Sequence, residues 1–474
     1  MMKVLYAASE CVPFATSGGL AEVAGSLPKA LVEHGVDCRV VLPLYGDIKD
    51  EYRRAMKFLG CFSVSVAWRE QYCGVLSLER DGVTYYFIDN EYYFKRSGLY
   101  GYYDDAERFA FFSRAVLEMI RNIEWHPDIL HANDWQTALA NVYINKFYRQ
   151  DPIYAGIKTL FTIHNIQYQG KYGMEILEDV LGISHEDGSV LELDGCVNFM
   201  KGAIESSDKV STVSPTYARE ILDPWFAHGL DGLLRDRQYK LCGILNGINT
   251  ELYNPATDPY IVANYSTRGF ANKRKCKKEL LEKFSLEDNG APVVAIISRL
   301  VAHKGIDLVK HVLEYMLLQG FEVVILGSGE YMYETCFNDF ARRFPGKCGV
   351  KIGFIPELSH VIYAGADMFL MPSRSEPCGL SQLIALRYGT IPIVRVTGGL
   401  ADTITDSGDG VGNGFTFQSY NAHDMLDACL RAKAVYEHAD QWRTLVRRAL
   451  KCDFSWGQSA KSYIGLYDEM ITLW

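Results

Sequence analysis

The sequence predicts an α/β protein built from two consecutive doubly wound halves. Three observations carry this expectation. Short apolar runs alternate with amphipathic stretches along the whole chain; the alternation lapses once near the middle; and 474 residues exceed what one hydrophobic core usually covers.

The grammar begins with KVLYAAS as a first strand, a helix-like stretch from Leu20 to His34, and CRVVLPL as a second strand. It recurs as DILHAN before the helical WQTALANVYINKFY, as KTLFTIHN, and as DKVSTVS before PTYAREIL, where Pro215 suits a helix start. Turn residues then take over in GILNGINTELYNPATDP, and the domain boundary is placed there, between residues 245 and 246. VVAIIS, EVVILG, VKIGF, DMFLMPS and TIPIVRV are five further strands, each followed by a helical stretch or a glycine-rich turn. The expected architecture is two Rossmann-like domains, residues 1–245 and 246–458, facing a central cleft. Ligand is expected at the carboxyl ends of the strands.

Composition narrows the function classes. A formal charge of -10 argues against a nucleic-acid partner, which needs a surplus of Lys and Arg on one face, and is compatible with a neutral polymer. The 30 Tyr are either core and half-buried strand residues or stacking surfaces for sugar rings. Twelve Cys occur without any CxxC, a pattern of reduced thiols and a cytoplasmic setting. The run from Val4 to Ala8 is too short for a signal segment, and no apolar run reaches 18 residues, so membrane insertion is not expected.

The candidate chemistry lies at strand ends. Ser17-Gly18-Gly19-Leu20 follows the first strand and opens the first helix; it is either a phosphate cradle or a plain strand-to-helix joint. Gly327-Ser328-Gly329 is a second, weaker loop of this kind, and SGGLAEV is echoed by TGGLADT at Thr397 to Thr403. Arg299 and Lys304 stand just after VVAIIS, where both can reach one phosphate group, unless they are surface cations. Glu376, in Ser375-Glu376-Pro377-Cys378-Gly379-Leu380, suits either sugar hydroxyls or a helix cap, with the following amides aimed at an anion. His164 and Asp134 end successive strands; structural hydrogen bonding for the first and N-capping for the second are the rival roles.

Taken together, SECVPFATSGGLAEVAGSLPKAL, DDAERFAFF, HANDWQTAL, FTIHNIQYQG, GILNGINTELYNP, SRLVAHKGIDL, PSRSEPCGLSQLIALRYGTIPIVRVTGGLADT and FSWGQSAKSYIGLY resemble, in order and spacing, the bacterial glycogen synthases and plant starch synthases. That resemblance implies a retaining GT-B glycosyltransferase of glycosyltransferase family 5, carrying glucose from a nucleotide sugar, ADP-glucose rather than UDP-glucose, to an α-1,4-glucan. It implies that Arg299 and Lys304 hold the donor diphosphate and that Glu376 contacts the transferred glucose, assisted by the amides of Cys378, Gly379 and Leu380. His164, Asp134 and Asn246 would surround the glucosyl unit, with Tyr100 a further substrate contact. Thr397, Gly398 and Gly399 would complete the phosphate site, and Gly18 and Gly19 would face it from the first loop. No DxD occurs, and no metal or other cofactor is expected. The closing helix, residues 459–474, is expected to pack back on the first domain.

The chain departs from the family at Thr16, where the first glycine loop usually carries a donor-binding Lys, and at Glu22, where Asp is common. The missing cation leaves two alternatives open: a weakly active or inactive glucan-binding paralogue, or a transferase with an altered donor.

Overall fold

A computed structural model describes residues 1–472 and divides the chain into two compact units, Met1–Leu245 with Trp456 onward, and Asn246–Ser455. Each is an α/β unit around its own sheet.

The first unit holds β1 (Lys3–Ala7), β2 (Asp37–Pro43), β3 (Lys57–Val66), β4 (Arg69–Arg80), β5 (Val83–Asp89), β6 (Ile129–Asn133), β7 (Lys158–Ile163), β8 (Lys171–Tyr172), β9 (Glu192–Leu193), β10 (Cys196–Asn198), β11 (Lys209–Thr212) and β12 (Leu241–Gly243). Nine of them form one sheet in the order β12-β11-β7-β6-β1-β2-β5-β4-β3, while β8, β10 and β9 make a small separate one. Pairing is parallel from β12 to β5, and β4 and β3 add an antiparallel edge. The periodicity of the sequence did not reveal β3 to β5, yet Asp81-Gly82, both at positive φ (52° and 78°), is the residue pair that tight hairpins demand.

The second unit carries β13 (Val293–Ile297), β14 (Glu322–Gly327), β15 (Cys348–Ile352), β16 (Met368–Met371), β17 (Ile391–Arg395) and β18 (Phe415–Phe417), in the order β15-β14-β13-β16-β17-β18. All its pairs are parallel. Central strands such as β1 and β14 are apolar and buried along almost their whole length because helices cover both faces, which explains why they read as runs without alternation.

The strand order locates the sites. In the first sheet the chain leaves β1 toward β2 and later returns to β6 on the other side; in the second it leaves β13 toward β14 and returns to β16. Each reversal opens a crevice beyond the carboxyl ends of two strands, which no crossing connection covers. The turns after β1 and β6, and those after β13 and β16, are therefore where functional side chains should gather.

The last helix, Trp456–Thr472, belongs to the first unit. His131 of β6 sits 2.8 Å from the Tyr467 hydroxyl, and Ser459 Oγ donates to the Leu245 carbonyl at 2.6 Å. In the second unit, the two connecting segments run side by side, with the Ile248 amide donating to the Phe454 carbonyl (2.9 Å). Among the described residues no helix is long and apolar enough to cross a membrane.

At the opposite, amino end of β14, Glu322 is buried and neither carboxylate oxygen has a hydrogen-bond partner. The nearby cation, Lys277, is committed to Asp367 at 2.7 Å. Burial therefore pushes the Glu322 carboxyl up from 4.5 to about 7. Because the folded chain holds this proton more tightly than the unfolded chain, the stabilisation is full below pH 4.5 and is lost as pH rises through 7. Glu322→Gln, which mimics the protonated form, should remove this contribution, a slope of at most about 1.4 kcal/mol per pH unit, from urea-unfolding stabilities measured between pH 5 and 8. An unaltered slope would show that Glu322 does not titrate there.

Candidate active site

In the first unit, the turn after β1 brings Glu10 over the glycine loop. Its Oε2 accepts from the Ser17 amide (2.5 Å), the Ser17 hydroxyl (2.8 Å) and the Gly18 amide (3.1 Å). Gly18 precedes the helix Gly19–Glu33 in extended conformation. The loop is thus folded around an internal carboxylate, and two of the amides assigned to phosphate already have an acceptor. Thr16 and Gly19 are exposed beside it. Sequence reasoning missed Glu10, whose partners lie seven and eight residues away; the signal was an acidic residue buried just beyond an apolar strand.

Asp134 follows β6 with φ 55°, a strained conformation for a non-glycine residue. It stands at the N-cap position of the helix Trp135–Tyr143, but its side chain does not cap it. Its Oδ1 reaches across to the next strand and accepts from the His164 amide at 2.8 Å. Burial pushes this carboxyl up to about 7, partly offset by backbone hydrogen bonds and helped by the charge of Glu10. It therefore gains its charge as pH rises through neutrality.

The His164 ring is fixed by Asn133. Asn133 Nδ2 donates to the Ala7 carbonyl (3.1 Å), so its Oδ1 is an acceptor, and it lies 2.8 Å from His164 Nε2. Nε2 must carry the proton, which leaves Nδ1 as an acceptor. Burial lowers the imidazole to about pH 3, so the ring is neutral at physiological pH. Tyr100 lies nearby, its hydroxyl 2.7 Å from Ser9 Oγ.

In the second unit, Lys304 Nζ grips both oxygens of Glu376, at 2.9 and 2.7 Å, across the crevice between β13 and β16. Ser373 Oγ also donates to Glu376 (2.8 Å), whose residue is 7% exposed. Lys304 is thus not a free surface cation, since the Glu376 carboxylate already holds its charge. Arg299 is exposed on the same turn, with Nη2 3.5 Å from His303 Nε2.

After Glu376, the amides of Cys378, Gly379 and Leu380 have no acceptor among the described residues. They lead into the helix Ser381–Arg387, and their partial positive charge is unanswered. Asn246 is drawn to this turn: its backbone amide reaches the Cys378 thiol, which burial pushes up to about 12, and its buried Oδ1 lacks a partner. A buried amide oxygen of this kind is satisfied by a ligand hydroxyl or by water.

The turn Thr397-Gly398-Gly399 is pressed against the same segment. A Cβ on Gly398 would stand 1.9 Å from the Glu376 carbonyl oxygen, and one on Gly399 would stand 2.1 Å from that of Cys378. The Gly399 amide donates to the Glu376 carbonyl at 3.1 Å, and buried Thr397 accepts from the Leu400 amide at 3.0 Å. These glycines therefore serve the packing of the Glu376 turn. The loop Gly327-Ser328-Gly329 is similar, since the Gly329 amide is taken by Glu334 (2.8 Å) and the Ser328 carbonyl by the Leu300 amide (2.9 Å). Beyond β15, Phe354 is 91% exposed, an aromatic face that apolar periodicity could not separate from core. Among the described residues no three His, Cys, Asp or Glu gather as metal ligands do.

The Asn133 constraint is testable without substrate. Nitrogen shifts of His164 should report the Nε2–H tautomer with no titration between pH 5 and 8, and Asn133→Ala should release the ring. A titration near pH 6.5 in the unaltered chain would contradict the burial argument.

Residues 3–236 match the family model described as the starch synthase catalytic domain, and residues 277–448 match that described as glycosyl transferases group 1. The glycogen synthase of Geobacillus thermodenitrificans strain NG80-2 is 50% identical over 475 residues, covering 99% of this chain and 98% of that protein. The glycogen synthase of Bacillus anthracis is 49% identical, covering 99% of this chain and 100% of its own. Among solved structures, the catalytic domain of starch synthase IV from Arabidopsis thaliana, bound to ADP and acarbose, matches with a TM-score of 0.90 at 34% identity over 99% of each chain. Sucrose-phosphate synthase from Thermosynechococcus elongatus, at 15% identity and a TM-score of 0.61 over 99% of each chain, shares the fold. The chain belongs to the glycogen and starch synthase family of GT-B glycosyltransferases.

Proposed function

We propose that the chain transfers glucose from a nucleotide sugar to the non-reducing end of an α-1,4-glucan with retention of configuration. The observation that carries this reading is the constellation at the β13/β16 crevice: Glu376 paired with Lys304, Arg299 beside them, and three amides without acceptors. Its chemistry suits a phosphorylated sugar. The amides and Arg299 bind the diphosphate, while Glu376, with Lys304 balancing its charge, accepts hydrogen bonds from glucose hydroxyls.

Lys304 then has two partners to serve. As the C1–O bond breaks and negative charge gathers on the leaving diphosphate, its ammonium can share its donors between Glu376 and the phosphate oxygens. The leaving phosphate oxygen takes the proton of the attacking glucan hydroxyl, so the chain need supply no separate base. Within the first unit, His164, held neutral, offers Nδ1 as a hydrogen-bond acceptor for a sugar hydroxyl, and Asp134 offers a carboxylate once ionised. ADP-glucose is the favoured donor because the starch synthase IV catalytic domain was bound to ADP. A reducing, cytoplasmic setting suits the twelve unbridged cysteines.

Purified protein given labelled ADP-glucose or UDP-glucose and a glycogen primer should extend the primer, faster with ADP-glucose. Arg299→Ala should lower turnover by roughly two orders of magnitude. Primer binding without incorporation from either donor would instead identify a glucan-binding paralogue.

Thr16 is the one observation favouring that second reading, since the exposed loop offers a hydroxyl where the family resemblance implies a donor-binding lysine. Thr16→Lys should raise kcat/KM for the nucleotide sugar by about tenfold if that position faces the donor. An unchanged value would show that another group already fills the role.

A further inference from the structure

We infer that Arg374, stacked on Tyr420, is a further binding residue for the donor diphosphate; the inference rests on the nucleotide-sugar reading above. Arg374 lies two residues before Glu376 in the turn after β16, and its own amide donates to the His303 carbonyl at 2.9 Å. It therefore stands between the two turns that frame the crevice. Its carbonyl is held from the other side by Arg395 Nη1 at 2.7 Å.

Charge at this site is scarcer than the sequence suggests. Lys304 is largely neutralised by Glu376. Arg395 is engaged with the Ser373 and Arg374 carbonyls, whereas Arg299 and Arg374 are both exposed, and among the described residues neither forms an ion pair with a carboxylate. A diphosphate brings at least two negative charges, which one arginine does not balance.

The Arg374 side chain is held in place by an aromatic neighbour. Its guanidinium carbon lies 4.5 Å from the centre of the Tyr420 ring. The Tyr420 hydroxyl also takes one hydrogen bond from Arg374; a guanidinium carries five N–H donors, so the others are left for the oxygens of a phosphate. Tyr420 is itself anchored, its hydroxyl donating to Asp307 Oδ1 at 2.5 Å, with the Ala302 carbonyl 3.0 Å away. Those two residues flank Lys304. The ring, which comes from the connection after β18, is thus a platform anchored beside the turn that holds Lys304, and it carries a cation belonging to the Glu376 turn.

Calorimetric titration of the full chain with ADP tests this. Arg374→Ala should weaken ADP by about tenfold or more and raise KM for the nucleotide sugar, with the ligand-free melting temperature unchanged. Arg374→Lys, which keeps the charge without the planar fork, should recover only part of the loss. Tyr420→Leu, which removes the platform, should weaken ADP by about threefold or more. ADP affinity within twofold of wild type for Arg374→Ala, in an enzyme that turns over normally, would overturn this inference alone. A loss of affinity accompanied by a fall in melting temperature would also overturn it, by assigning Arg374 a structural role. Wild-type protein that binds neither ADP nor UDP would remove the nucleotide-sugar reading together with it.

Discussion

The ion pair between Lys304 and Glu376 is the constraint on which the second unit's site depends. It joins the turn after β13 to the turn after β16, the two connections that diverge at the strand-order reversal. Around it the backbone is forced into close approaches that only glycine permits: Gly305 has φ 75°, and a Cβ there would meet the Pro372 carbonyl oxygen at 2.1 Å. Breaking the pair from one side would leave a mostly buried charge unanswered, so the same contact that places Glu376 also holds the scaffold.

The first unit solves a similar problem differently. Its reversal lies between β1 and β6, and the groups gathered there are Glu10, Asp134, Asn133 and His164, with no cation among them. Burial keeps the imidazole uncharged and lifts the aspartate toward neutrality. The first site is therefore an array of hydrogen-bonding groups in which burial holds down the charge of His164 and Asp134, suited to sugar hydroxyls, while the second is suited to anionic oxygens.

Much of this was legible in the sequence, because parallel strands buried on both faces are written as apolar runs, and the residues that follow them necessarily fall at sheet edges where ligands bind. That is how His164, Asp134, Arg299, Lys304 and Glu376 could be singled out. What could not be read was pairing. Nothing in the chain shows that Lys304 grips a residue 72 positions away, that Asp134 spends its carboxylate on the His164 amide, or that Glu10 fills the glycine loop. Glycines carry the same ambiguity: a GG step marks close approach, but whether to a ligand, to a neighbouring carbonyl or to both depends on what folds against it, as at Gly398 and Gly399. Arg374 stood in plain view inside PSRSEPCGL, yet its partner Tyr420 lies in a distant connection after β18.

The return of the last helix to the first unit bears on how the chain is made. Tyr467 meets a histidine in the middle of the first sheet, and Ser459 holds the carbonyl that ends the first segment. During synthesis the amino-terminal unit must wait, lacking one wall, while some 210 residues of its neighbour emerge from the ribosome. A nascent chain stalled or cleaved before Trp456 would present the ring of His131 and the helix Gly19–Glu33 to solvent, giving quality-control proteases a simple mark of an unfinished molecule.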